Sequence, residues 1–293
     1  MSPIPDPQQK LFRKGSRTYF FSSLFFPPSV RREVTILYGF VRKADDFVDS
    51  KPADPEAFFA FRRRYELARD GVPSGDPVID DFVELARQRQ FDPAWTESFF
   101  DAMQSDLTPQ PYETLNQLLG YIWGSAEVIG LYLCQILELP PMAHAAACRL
   151  GRSMQYINFL RDIAEDCTLG RRYLPLADSG LAELSPESAQ ADPDRFATFF
   201  RSQAKLYRDW QEEATAGYGW IPRRYLIAIK TASDLYNWTA RVLQKNPQLV
   251  WRRKVKPSLP RVLFTAFLNL FYFPKAPCTY LKEAPTKFGE AST

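Results

Sequence analysis

The sequence predicts an all-α fold, and three observations predict it. Apolar residues recur at helical spacing along most of the 293-residue chain, β signals are scarce, and prolines fall between the periodic segments. No Asn-Gly or Asp-Gly hairpin, alternating strand series or GxGxxG fingerprint is present. In chain order, Pro27-Pro28 opens a long helix, Pro73 and Pro77 sit in an exposed loop over 71–77, and Pro109 and Pro111 precede a further helix. Pro140-Pro141, Pro175, Pro186 and Pro193 mark the later breaks, and 178–194 reads as a surface connection with at most a short helix. Neither connection is long enough to be a domain linker. Residues 11–281 are therefore expected to form one helical domain, with 1–10 disordered and 282–293 a flexible tail.

Composition narrows the function. The chain is 45% hydrophobic and 24% charged, as folded soluble proteins are. Its net charge of +3 is too small to argue for a nucleic-acid partner. Aromatic residues, at 15%, fill a large core or line an apolar cavity. Cys134, Cys148, Cys167 and Cys278 form no CxxC pair, and His144 is the one histidine. This argues against zinc, di-iron and His-based acyl-transfer sites, and the thiols read as reduced, in a cytosolic protein. There is no signal core and no apolar run that spans a bilayer. The run over 262–273, between Arg261 and Lys275, reads first as a final core helix and second as a helix lying in a membrane interface.

Two acidic clusters stand out, Asp45-Asp46-Phe47-Val48-Asp49 and Asp162-Ile163-Ala164-Glu165-Asp166. Each puts two aspartates at i and i+4, one turn apart on one helix face. Such pairs repel, and the simplest use for the charge is a hard divalent cation. On a helical wheel, Thr35, Tyr38, Arg42, Asp45 and Asp49 fall within an arc of roughly 80°, with Val34, Leu37 and Val41 on the opposite, packing side. Gly151, Met154, Gln155, Asn158, Asp162 and Asp166 make a second polar stripe, with Arg161 at its edge and Arg171, Arg172 and Tyr173 after it. Carboxylates that hold Mg²⁺, an anionic ligand on the Mg²⁺ and arginines capping its free oxygens would explain both stripes. The similar run Asp80-Asp81-Phe82-Val83-Glu84 lacks a polar stripe and reads as surface. A third face, Tyr121, Gly124, Ser125, Val128 and Tyr132, carries glycine inside a helix. Close helix packing is the commoner cause, but the phenol of Tyr121 favours a wall along which a ligand chain runs.

These residues resemble the squalene/phytoene synthase family of head-to-head prenyl synthases, over roughly residues 12–257. Lys14-Gly15-Ser16-Arg17-Thr18-Tyr19-Phe20 is similar to the family's Ser-x-Ser-Phe diphosphate-binding segment, with Thr18-Tyr19 in place of Ser-Phe. The stretch from Tyr38 through Arg42 to Asp45, Asp46 and Asp49 resembles Tyr-x-x-x-Arg-x-x-Asp-Asp-x-x-Asp. Met154 to Asp166, ending in Gly170-Arg171-Arg172-Tyr173-Leu174-Pro175, resembles the second signature, and Tyr236 and Lys254-Val255-Lys256-Pro257 resemble weaker features. Gly124-Ser125-Ala126-Glu127-Val128-Ile129-Gly130 departs from the common Val-Ala-Gly-x-Val-Gly and resembles the archaeal-type phytoene synthases.

The resemblance implies a single-domain, isoprenoid-synthase-type helical bundle around a central cavity. It implies a geranylgeranyltransferase reaction of the 15-cis-phytoene type, in which two geranylgeranyl diphosphates condense through a cyclopropyl diphosphate. Mg²⁺, or Mn²⁺ in its place, would be held by Asp45, Asp49, Asn158, Asp162 and Asp166. The catalytic set would be Asp45, Asp49, Tyr121, Arg161, Asp162 and Asp166. Substrate contacts would come from Ser16, Thr18, Tyr19, Tyr38, Arg42, Gln155, Asn158, Arg171, Tyr173 and Tyr236. No NADPH is expected for phytoene. Ser23 and Thr35 are small and would leave depth for C20 chains rather than C15. Alternatives are a squalene or dehydrosqualene synthase, a non-catalytic helical assembly factor, and a head-to-tail prenyltransferase, whose second motif would read Asp-Asp-x-x-Asp. The expected setting is cytoplasmic, peripheral on the inner face of a membrane, with downstream carotenoid enzymes as partners.

Overall fold

The computed structural model describes residues 17–177 and 179–275, the first three as backbone only. Among them there is no strand. The chain runs through α1 (Arg17–Ser23), α2 (Pro28–Asp49), α3 (Pro55–Arg69), α4 (Pro77–Gln88) and α5 (Pro93–Ser105). Then come α6 (Leu115–Ile122), a π-helical turn (Trp123–Glu127) and α7 (Val128–Ile136). The second half is α8 (His144–Thr168), α9 (Pro186–Ala191), α10 (Pro193–Thr215), α11 (Arg223–Lys245), α12 (Leu249–Arg252) and α13 (Leu259–Asn269).

The prolines mark helix starts because an acidic cap precedes them. Asp54, Asp76, Asp92 and Asp192 each accept a backbone N–H from the first turn that follows, and proline at the next position has no N–H to satisfy. Thr114 and Gln117 close a reciprocal capping box at α6. Among its described residues, the 178–194 connection holds the short α9 before α10 begins at Pro193, as its composition predicts.

Helix α8 is the hub, packed by α7, α10, α11 and the π turn. Helix α2 lies on α3, α4 and α5, where Phe40, Phe61, Tyr65, Phe82 and Phe100 form an aromatic core. Phe40 and Phe82 stack at 3.8 Å between centroids. Much of the aromatic content therefore fills core. The Asp80-Asp81 run serves the fold: Asp80 accepts from the Ser74 N–H and hydroxyl, closing the preceding loop, while Phe82 and Val83 enter the core against α2.

The π turn divides the third face. A wider turn changes the register of everything after it. Tyr121 and Ser125 face the interior cavity, whereas Val128 and Tyr132 are buried, the Tyr132 hydroxyl paired with Thr96 of α5. A Cβ on Gly124 would lie 2.1 Å from the Ser98 carbonyl oxygen, so this glycine serves helix packing and not a ligand wall. Behind the turn, Glu127 and Arg152 form an ion pair at 2.7 Å with their side chains 0% and 6% exposed. Arg152 also lies over the Trp210 ring, 5.4 Å from its centroid.

The last helix departs from the core reading. Only Val262, Ala266 and Asn269 of α13 are buried, against α11 and α1. Leu263, Phe264, Phe267, Leu268, Phe271 and Phe273 are exposed, Phe264 at 62% and Phe271 at 67%. No described helix is long and apolar enough to cross a membrane.

Replacing Arg152 by Met leaves Glu127 as an unpaired buried charge and is expected to cost about 3–5 kcal/mol in urea unfolding. Adding Glu127→Gln should recover most of that loss. A loss under about 1 kcal/mol in the single variant would show that the pair is not buried in solution.

Candidate functional site

A cavity of about 990 Å³ lies between α2 and α8. Its ionic end is built by the last turns of two helices, Asp45 and Asp49 from α2 and Asp162 and Asp166 from α8. The i, i+4 spacing keeps each pair on one side of its helix. Tyr38, Arg42, Tyr121, Gln155, Asn158, Arg161, Arg171, Tyr173 and Tyr236 line the same cavity. Ser16 lies outside the described residues, as do the side chains of Thr18 and Tyr19 and the whole of Cys278.

Cations hold the carboxylates. Arg42 reaches Asp45 at 2.6 Å and Asp46 at 2.5 Å. Arg161 grips Asp162 through two bonds of 2.8 and 2.6 Å, and Lys254 stands 3.1 Å from the same carboxylate while also pairing with Glu165. Arg171 donates to Asp49 at 2.5 Å and to the Val48 carbonyl at 2.8 Å, tying the end of α2 to the loop after α8. Its neighbour Arg172 turns away to Glu113 at 2.6 Å and takes no part.

Like charges remain costly here. Burial, then Asp162, pushes Asp166 up to about 8, against Arg171 and Lys254. Burial, then Asp49, pushes Asp45 up to about 7, against Arg42. The Asn158 Oδ1 is buried with no hydrogen-bond partner. Carboxylates and a free amide oxygen are hard donors of the kind Mg²⁺ takes, so this end fits a divalent cation. Among the described residues no three Asp, Glu, Cys or His side chains already converge on one point.

The rest of the cavity is largely apolar. Val34, Leu37 and Val41 line it, whereas Thr35 does not: it is buried, with its hydroxyl bonded to the Arg31 carbonyl. The predicted α2 stripe is thus rotated toward its apolar side, because α2 must present both carboxylates and a hydrocarbon wall to one cavity. Ser23 does line it. At the far side lie Ala143, Ala146, Ala147, Gly130, Gly217 and Tyr218.

Sequence reading missed Asp106. It stands just after α5 in no motif, yet its carboxylate accepts the hydroxyls of Tyr121 and Tyr173, both at 2.7 Å. Only the fold could reveal this, since its partners lie 15 and 67 positions away. Glu127 left a signal: it is the one charged residue between Leu115 and Ile136, and a carboxylate in so apolar a run needs a buried partner.

With this geometry in place, the sequence profile of the squalene/phytoene synthase family matches residues 12–261. The chain is 29% identical over 267 residues to the 15-cis-phytoene synthase of Pantoea ananas, covering 85% of each protein. It is also 29% identical over 264 residues to that of Enterobacter agglomerans, covering 85% of this chain and 89% of that protein. Among solved structures, a dehydrosqualene synthase in complex with ligand superposes with a TM-score of 0.81 at 22% identity, covering 89% of this chain and 93% of that one. Squalene synthase HpnC from Alicyclobacillus acidocaldarius gives 0.72 at 19% identity, covering 81% and 92%. These two likenesses establish the all-α isoprenoid-synthase fold.

The raised carboxyls set a pH dependence. Their folded values exceed the ordinary 3.8, so the stability they contribute at low pH is lost as pH rises toward about 8. Mg²⁺ should therefore raise the melting temperature of EDTA-treated protein more at about pH 8 than at about pH 6. Asp166→Asn should remove most of that difference. An equal Mg²⁺ response at both pH values would count against metal binding by these carboxyls.

Proposed function

Because the chain belongs to the squalene/phytoene synthase family, we propose that it joins two geranylgeranyl diphosphates head to head to give phytoene, the first step of carotenoid synthesis. One observation carries the reading: a single cavity places two acidic ladders and their arginines at one end of a long apolar wall. Its volume of about 990 Å³ lies at the top of the range of roughly 300–1,000 Å³ for small-molecule sites. The phytoene synthases among its relatives favour the C20 substrate, and so does Ser23 on the cavity wall.

Asp45, Asp49, Asn158, Asp162 and Asp166 would hold Mg²⁺ or Mn²⁺, which when bound supplies positive charge against a departing diphosphate. Arg42, Arg161, Arg171 and Lys254 pair with these carboxylates. With a metal on the carboxylates, the same cations would be free to hydrogen-bond diphosphate oxygens. Ionisation of the first substrate leaves an allylic cation, which the double bond of the second attacks. The apolar wall excludes the water that would quench it. Tyr121, Phe159 and Tyr173 line the cavity, and aromatic rings there can stabilise positive charge. Proton loss closes a cyclopropyl ring, and a second ionisation, rearrangement and proton loss give phytoene. No NADPH enters these steps. The acidic set on the cavity wall supports an enzyme over a non-catalytic assembly role.

The exposed apolar face of α13 supports a peripheral position on the inner face of a membrane, where an uncharged product could pass to later carotenoid enzymes. Cations rim it: Arg261 lies over Trp238 and Arg223 over Phe273, at 4.5 and 4.1 Å from the ring centroids.

Labelled geranylgeranyl diphosphate with Mg²⁺ should yield a C40 hydrocarbon, and farnesyl diphosphate a poorer C30 one; preference for farnesyl diphosphate would make the chain a squalene or dehydrosqualene synthase. Asp45→Asn or Asp162→Asn should lower turnover about a hundredfold or more with the helical circular-dichroism spectrum intact. Replacing Phe264, Phe267 and Phe271 by Ser should abolish flotation with anionic vesicles, whereas unchanged flotation would place the membrane contact elsewhere.

A further inference from the structure

Asp106 is a buried carboxylate that accepts a phenol hydrogen bond on each of its two oxygens. Its side chain is 6% exposed. Oδ2 accepts from Tyr121 and Oδ1 from Tyr173. Arg171 Nε stands 4.0 Å from Oδ1, and Arg171 also donates to the Asp106 carbonyl at 3.3 Å. Asp106, Tyr121 and Tyr173 all line the cavity. The phenols are held by packing: Tyr173 stacks on Phe159 at 4.3 Å and lies 5.2 Å from Tyr121 between ring centroids.

Resting on the head-to-head reading, we propose that Asp106 is the proton acceptor of ring closure, reached through the hydroxyl of Tyr121. A C–H bond on the carbon two removed from the cationic centre breaks, and its electron pair bonds to that centre as the closing C–C bond of the cyclopropane. The proton goes to the Tyr121 oxygen as the phenol passes its own proton to Asp106 Oδ2. Tyrosine begins and ends neutral, and the carboxylate becomes a carboxylic acid. The proton leaves with the released diphosphate, which resets the site.

The two-proton route follows from the surroundings of Tyr121. Burial, then the Asp106 charge, holds its hydroxyl well above the ordinary phenol range, so it is not a phenolate at neutral pH. A neutral phenol that gained a proton without losing one would become a strong acid in an apolar wall. Oδ2 of Asp106 is the acceptor in reach. Arg171 and the two phenols favour the Asp106 carboxylate; burial, the larger effect, and Asp49 oppose it and make it a stronger base than a surface aspartate. Asp106 stays outside the donor set assigned to the metal, so its lone pairs remain free for this exchange. Tyr173 acts as the second tether, fixing Oδ1 so that Oδ2 points at Tyr121.

The test compares Asp106→Asn, Tyr121→Phe, their double variant and Tyr173→Phe, reading hydrocarbon formation and diphosphate release separately. Asp106→Asn is expected to lower hydrocarbon kcat by about a hundredfold or more with KM for the prenyl diphosphate little changed. First-turnover diphosphate release should fall far less, because the first ionisation precedes this proton path, whereas the second ionisation needs the closed ring. The double variant should be no slower than the slower single variant, and Asp106→Glu should recover part of the loss. If Asp106→Asn does not fold, Tyr121→Phe decides: diphosphate release that outlasts hydrocarbon formation supports the path, and parallel loss of both overturns it. An Asp106→Asn variant with more than about a third of wild-type kcat, or a double variant whose losses multiply, overturns the proposal. A wild-type protein that makes no hydrocarbon from C15 or C20 diphosphates would overturn the head-to-head reading itself, and this role with it.

Discussion

The structure depends on the containment of like charge. Two pairs of aspartates at i, i+4 face one cavity, and without partners they would drive α2 and α8 apart. Arg42, Arg161, Arg171 and Lys254 meet that repulsion at close range. Arg171 has the widest reach. It bonds Asp49 and the carbonyls of Val48 and Asp106, so one guanidinium joins the ends of α2 and α5 to the loop after α8. Its planar donors suit that task where a lysine ammonium would not. The cations that contain this charge are the ones that, on the proposed reading, would also meet phosphate oxygens.

The apolar wall is shaped by a different device. The π turn over Trp123–Glu127 lets one chain segment serve two surfaces. Tyr121 and Ser125 meet the cavity, while Gly124 lets α5 approach to within carbonyl contact. Gly151 plays the matching part on α8, where a Cβ would lie 2.4 Å from the Ala126 carbonyl. The buried Glu127–Arg152 pair sits behind this seam, fixing the turn from the side away from the cavity. Such π turns often mark functional sites because they re-aim side chains without breaking the helix.

At the other extreme, α13 spends few of its apolar residues on the fold. Val262 and Leu259 border the cavity, yet Leu259 is itself largely exposed. The helix therefore stands between an interior that suits an isoprenoid chain and an outer face that suits lipid. The proposed reaction, from a substrate charged at one end to an uncharged product, would match that position.

Much of this protein was legible in its residues. Helical periodicity and the prolines between periodic segments predicted the all-α class, because proline geometry acts locally. The acidic ladders and the arginines around them were legible for the same reason: four-residue spacing fixes which side chains share a face wherever the helix lies. Rotation about the helix axis was not, so Thr35 left the cavity and Val34, Leu37 and Val41 entered it. The π turn was also hidden, since nothing in Gly124-Ser125-Ala126 requires a wider turn until α5 and α8 press on both sides. Asp106 shows the limit most plainly. In the sequence it is an aspartate at the end of a helix, and only long-range packing brings it to two phenols and an arginine.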